Sequence, residues 1–109
     1  MDKPQARELY QLHANMCQAI ADPCRIALLY ELGGGPRNVN ELAEALDLPQ
    51  ATASRHLKVL RERGLVTTTR DGAFIYYALA FPSVLEALDI MRTILAESFN
   101  RRLEKAVTQ

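Results

Sequence analysis

Between Thr52 and Arg70 the sequence sets five bases, Arg55, Lys58, Arg61, Arg63 and Arg70, against one acid, Glu62. His56 lies among them. A local excess of +4 is either a phosphate footprint or a solvated helix face. The side-chain types say what a footprint here would do. Arginine can fork onto guanine O6 and N7. Lysine and threonine suit phosphate oxygens, and histidine can donate to base or phosphate.

A second chemistry sits at Cys17 and Cys24, which flank Asp22-Pro23. One reading is a thiol sensor of a metalloid, a metal or an oxidant. The other is a pair of small core residues, since free cysteine is among the most buried types. In one unbroken helix their Cα atoms would lie roughly 10.5 Å apart, beyond the ~7 Å limit of a disulfide. An interruption at Pro23 would bring them together, or Cys17 would pair across a dimer. His13, one turn before Cys17, is a third possible ligand, although a lone histidine on an amphipathic helix is more often structural.

Enzyme chemistry finds no support. There is no Gly-rich phosphate loop, no nucleophile elbow and no metal triad legible in the sequence. Ser54 and His56 are two positions apart, so on a helix they do not face one another.

The whole chain sets bounds on these readings. It has 109 residues, with 13 Lys+Arg against 13 Asp+Glu and a formal net charge of zero. That length predicts one domain, residues 1–109, with its core in 8–100. Apolar residues at 49% and charged residues at 24% match an ordinary globular protein. No run approaches the ~18 apolar residues of a membrane helix. Met1-Asp2-Lys3-Pro4 leads into a polar stretch, so no signal peptide is expected. A cytoplasmic chain with free thiols is the expectation.

The elements that position these side chains follow from periodicity. Leu9, Leu12, Met16 and Ile20 predict an amphipathic first helix. Asp22-Pro23 reads as a cap with proline at the first helical position. Ile26, Leu28, Leu29 and Leu32 continue a second helix, ended by Gly33-Gly34-Gly35-Pro36. Asn38 with Glu41 predicts a capping box opening a short third helix through Leu46. Asp47-Leu48-Pro49 is a tight connection. A fourth helix runs from about Gln50 to Arg63, with Ala53, Leu57 and Leu60 inward, and stops at Gly64. Thr52, Arg55, His56 and Lys58 are then expected on its opposite face.

The period changes at Leu65. Leu65 to Arg70 reads as one strand, Asp71-Gly72 as a two-residue turn, and Ala73 to Leu79 as the returning strand. Arg70 would sit near the tip of this ribbon. Pro82 opens a last helix striped by Leu85, Leu88, Met91, Leu95, Phe99 and Leu103. The first and last helices carry more apolar surface than a small core needs, which favours burial against a second copy. The fold expected is mainly α with a β-hairpin, in the order α-α-α-α-β-β-α. A short helix, a tight turn and a second helix form a helix-turn-helix, whose second helix can enter a major groove.

The stretch Asn38–Val66 resembles the ArsR/SmtB family of bacterial winged-helix repressors, most specifically in Ser54-Arg55-His56-Leu57-Lys58-Val59-Leu60 and Gly64-Leu65-Val66. Ala21-Asp22-Pro23-Cys24-Arg25-Ile26 resembles the family's opening of the second helix. Arg70-Asp71-Gly72 with Tyr76-Tyr77 resembles its wing. The resemblance spans roughly residues 8–100. It implies a winged helix-turn-helix homodimer joined through the first and last helices. It also implies repression from a palindromic double-stranded DNA operator, relieved by an inducer. By match to the motif, Gln50, Thr52, Ser54, Arg55, His56 and Lys58 contact DNA, with Arg70 in the wing. Pro49 and Ala51 stand where the family often has serine, so the fourth helix lacks a side-chain cap and one phosphate-binding hydroxyl.

The family's usual sensing sites are missing by type. Glu41–Leu46 has no cysteine for an arsenic-type site. The last helix offers Asp89, Glu97 and Glu104 but no histidine for a zinc-type site. Tyr30 stands where persulfide sensors of the family carry cysteine. No cofactor is required by this reading. Cys17 and Cys24 remain the candidate sensing residues, for a metal or metalloid ion or an oxidant, and the inducer is left unnamed. The alternative is a winged-helix protein-interaction module without DNA binding, against which the basic stretch argues.

Overall fold

A computed structural model describes residues 2–108, so Met1 and Gln109, the ends of the expected domain, lie outside the described residues. Helix α1 (Ala6–Gln11) runs on into a π-helical segment, Leu12–Cys17. Its wider turns were not expected from the spacing of Leu9, Leu12, Met16 and Ile20. Met16 and Ile20 pack against the core, whereas Leu9, Leu12 and Tyr10 stay exposed.

Helix α2 (Pro23–Leu32) starts where the sequence places a cap. The Cys24 and Arg25 N–H groups donate to Asp22 Oδ1 at 2.8 and 3.3 Å, satisfying two N–H groups left over by the first turn. Gly33 follows with the last helix close by. A Cβ there would meet Leu85 Cδ1 at 2.7 Å and the Tyr30 carbonyl oxygen at 3.0 Å, so a larger residue would have to push the Leu85 side chain aside.

Strand β1 (Arg37–Asn38) leads directly into α3 (Val39–Ala45) through a capping box. Glu41 N–H donates to the Asn38 side chain at 2.9 Å, and Asn38 N–H donates to Glu41 Oε1 at 3.0 Å. Helix α3 ends as a Schellman motif, with Leu48 N–H donating to Ala43 O at 2.9 Å and Asp47 N–H to Glu44 O at 3.2 Å. Asp47 takes the left-handed φ of 52° that this ending demands; a short polar side chain tolerates it better than most.

Helix α4 (Gln50–Glu62) begins after Pro49 with no side-chain cap. It ends in a second Schellman motif, Leu65 N–H to Leu60 O at 2.9 Å and Gly64 N–H to Arg61 O at 3.0 Å, with Gly64 at φ 80°. Strands β2 (Val66–Asp71) and β3 (Phe74–Leu79) pair antiparallel from Val66↔Leu79 to Asp71↔Phe74. The two-residue loop is therefore Gly72-Ala73, one position later than the expected Asp71-Gly72, with Asp71 inside the ladder. Strand β1 adds to the other edge of β3, giving the order β1-β3-β2. This third strand was not expected. Two residues show no period, and only pairing with Tyr76 and Tyr77 makes them a strand.

The core joins these pieces. Leu28 and Leu29 of α2, Leu42 of α3, and Leu57 and Leu60 of α4 are fully buried, with Leu65, Val66 and Leu88 nearly so. Each such leucine favours the folded state by about 1.5–3 kcal/mol over exposure.

Helix α5 (Ser83–Thr108) behaves differently. Of its apolar residues only Leu88 is buried, while Ile90, Met91, Ile94, Leu95, Phe99 and Leu103 are exposed. Near its start Tyr30 donates to Asp89 at 2.6 Å, and Arg92 stacks 5.5 Å above the Tyr30 ring while bonding Asp89 at 3.0 Å. Beyond that the helix leaves the body of the molecule. The radius of gyration is 17.0 Å, with extents of 61 × 36 × 21 Å, against about 13 Å for a compact domain of this length.

Candidate nucleic-acid interface

Helix α4 owes its two faces to one spacing. Ala53, His56, Leu57 and Leu60 follow i, i+3, i+4, i+7 and are all buried. The far side carries Gln50, Ser54, Arg55, Lys58 and Arg61, all exposed. Thr52 is half-buried at the boundary. Among the described residues no carboxylate pairs with Arg55, Lys58 or Arg61. Three cations thus stand unneutralised on one helix face. Ala51, Ser54, Arg55, Lys58 and Arg61 line one hollow with Tyr77 of β3. On the other side Gln50 and Ser54 line a second hollow with Asn38, Asn40 and Phe74. A convex, cationic helix flanked by two grooves has the shape and charge for a DNA major groove and its bordering phosphates.

Arg70 lies on the wing, exposed, its Nε donating to Gly72 O at 3.4 Å. That long contact holds the side chain against the turn without neutralising it. Arg61 was not singled out by motif, although its i+3 spacing from Lys58 placed it on the same face.

His56 departs from the expected face. Only 9% exposed, it turns into the space between α4 and the start of α2. Arg25 Nη1 lies 3.3 Å from its Nδ1, and Asp22 Oδ1 lies 3.9 Å from its Nε2. Arginine can only donate, so Nδ1 accepts and the ring proton sits on Nε2, toward the carboxylate. The imidazole is thereby turned away from the exposed face of α4. The same Arg25 donates from Nε to Ala19 O at 2.6 Å and from Nη2 to Gln18 O at 3.0 Å. One guanidinium therefore ties the end of the first helical arm to α4.

Partial burial pushes the Asp22 carboxyl up. The N–H groups of Cys24 and Arg25 outweigh it, with help from the His56 ring, whose Nε2–H faces the carboxylate, and from the Arg25 charge, and hold it below its ordinary value.

The two cysteines separate. Both are free thiols. Cys17 is exposed on the π-helical segment, and the His13 ring beside it has the Gln18 side chain as a hydrogen-bond partner, at 3.5 Å. Cys24 is half-buried, and its sulfur joins Asp22 and His56 in a group whose ligand atoms all lie within 4.8 Å of one another. Cys17 is not part of that group. No helix among the described residues is long and apolar enough to cross a membrane.

Comparison with known proteins agrees with this architecture. A helix-turn-helix domain model matches residues 20–69. The HTH-type transcriptional repressor SmtB of Mycobacterium tuberculosis is 40% identical over 77 residues, 71% of this chain and 57% of that protein. The chain thus spans little more than half the length of that repressor. The crystal structure of Mycobacterium tuberculosis Rv0081 superposes with a TM-score of 0.76 at 34% identity, covering 94% of this chain and 99% of that one. The homodimeric winged helix-turn-helix DNA-binding domain Mb0332 from Mycobacterium bovis, described as a possible ArsR-family regulator, gives a TM-score of 0.72 at 30% identity. It covers 89% of this chain and 92% of its own. With its buried helix-turn-helix core, its three-stranded wing and these relatives, the chain belongs to the ArsR/SmtB family of winged helix-turn-helix transcriptional regulators.

Proposed function

We propose that the chain represses transcription as a homodimer bound to a palindromic double-stranded operator. The observation that carries this reading is the unpaired cationic face of α4, with Arg55, Lys58 and Arg61 beside Gln50 and Ser54. Arg55 serves as the base-reading fork, and Lys58, Arg61 and half-buried Thr52 serve the phosphates. Arg70 extends the contact from the wing along the neighbouring backbone.

Dimerisation supplies the second half-site. The bare stripe Met91, Leu95, Phe99 and Leu103 on α5, with Leu9 and Leu12 of the first helix, is the surface a second copy covers. An inducer then lowers operator affinity, with Cys24 rather than Cys17 as the thiol set among other ligands.

Fluorescence anisotropy with the DNA upstream of the chain's own gene tests the reading. A protected site bound in preference to scrambled duplex, with affinity falling steeply as salt rises, is the expected result. Equal binding to both duplexes at every salt concentration rejects sequence-specific repression.

A further inference from the structure

We propose that Asp22, Cys24 and His56 form a binding site for a zinc-type divalent cation, and that filling it loosens the protein's hold on DNA by expelling Arg25 from His56. The site stands on its own geometry; its effect on DNA rests on the function proposed above.

The donor set selects the ion. A thiol sulfur, an imidazole nitrogen and a carboxylate oxygen converge within 4.8 Å. These are the donors of zinc and its borderline neighbours, whereas magnesium and calcium prefer oxygen alone. A thiophilic metalloid would find a single sulfur. Three protein ligands leave a fourth tetrahedral position for water. Ligand atoms about an ion of this kind sit roughly 3.3–3.8 Å apart, so closing the site takes a contraction of about 1 Å. The Asp22 hydrogen bonds use Oδ1 alone, so the carboxylate can keep its cap and still offer an oxygen.

Loading changes the protons. The Cys24 thiol loses its proton to water as the sulfur–metal bond forms. His56 binds through Nε2, the nitrogen facing Asp22, so its remaining proton must move to Nδ1. That nitrogen accepts from Arg25 in the metal-free protein. Once protonated it is a donor facing a donor, with a divalent charge just beyond. Arg25 is driven off. It is the same side chain that holds the Gln18 and Ala19 carbonyls, so the first helical arm comes free of α4. In the proposed dimer that arm carries Leu9 and Leu12 of the shared surface, so its release shifts one α4 relative to the other.

Cobalt(II) titration of the metal-free protein reads the site directly. A thiolate-to-cobalt charge-transfer band is expected in the wild type and in Cys17→Ser, and is expected to vanish in Cys24→Ser. A silent wild type, or a band that survives Cys24→Ser, overturns the site. Anisotropy with operator DNA, with and without zinc, reads the coupling as a ratio within each variant. A tenfold or greater loss of affinity on adding zinc is expected in the wild type and Cys17→Ser, and none in Cys24→Ser. An unchanged ratio in the wild type overturns the coupling. If no duplex is bound even without metal, the repressor reading fails, while the cobalt spectrum still decides the site.

Discussion

Arg25 and His56 lie 31 residues apart in sequence and 3.3 Å apart in space. Their contact is the point where the first helical arm, α2 and α4 meet, because Arg25 also holds the carbonyls of Gln18 and Ala19. Arg25→Met keeps much of the packing and removes the donors. The expected cost is about 1.5–3 kcal/mol, the range for a hydrogen bond to a charged group, read from the shift in urea midpoint at unchanged m-value. Weaker operator binding by this variant is expected too, although the Arg25 side-chain hydrogen bonds go to Gln18, Ala19 and buried His56 rather than to the exposed face of α4.

Arg55 and Lys58 share an exposed face, and the proposed function gives them different purposes. Arg55→Ala is expected to lose about 1–3 kcal/mol of operator affinity and to relax base preference at one position in each half-site. Lys58→Ala should weaken binding to all duplexes alike and lower the salt slope by about 1. Anisotropy across a salt series separates the two. Equal effects on operator and scrambled DNA by Arg55→Ala would sink the base-reading role.

The α5 stripe makes a stoichiometric prediction. Leu95→Glu sets a charge where apolar side chains are expected to meet across a two-fold axis. Sedimentation equilibrium should show a dimer for the wild type and a monomer for the variant, with operator affinity falling by more than tenfold. The circular dichroism spectrum should stay helical, since Leu95 is 68% exposed and contributes little to its own chain's core.

Asp89 carries a pH signature. The Tyr30 hydroxyl and then the Arg92 guanidinium hold its carboxyl below the ordinary value of 3.8. A lowered folded value means the ionised form is favoured by folding, so this contribution is complete above about pH 4 and lost as pH falls through the folded value. The Tm gap between wild type and Asp89→Asn should therefore be widest near pH 7 and shrink toward pH 3. A gap independent of pH would show that the Tyr30–Asp89–Arg92 cluster does not anchor α5.

Most of the fold was legible because each helix advertises its ends. Asp22-Pro23, Asn38 with Glu41, and Gly64 cap or stop helices through local hydrogen bonds, and local chemistry is what a sequence displays. The turn Gly72-Ala73 came out one residue late because Asp71 found a cross-strand partner in Phe74. His56 was placed on the wrong face although Ala53, His56, Leu57 and Leu60 already spell a buried stripe. Its polarity suggested solvent, and the partners that make burial tolerable, Asp22 and Arg25, lie more than 30 residues upstream. The Asp22–Cys24–His56 group was invisible for the same reason, since only the packing of α4 against the start of α2 brings it together.

The bare flank of α5 also makes chain concentration a variable in its own right. If DNA is read by pairs, the reading species grows with the square of chain concentration below the dimer dissociation constant. Occupancy of an operator then rises more steeply than the supply of protein. A repressor of its own gene built this way would fall silent abruptly as its chains are diluted by growth, and resume control over a narrow span of expression.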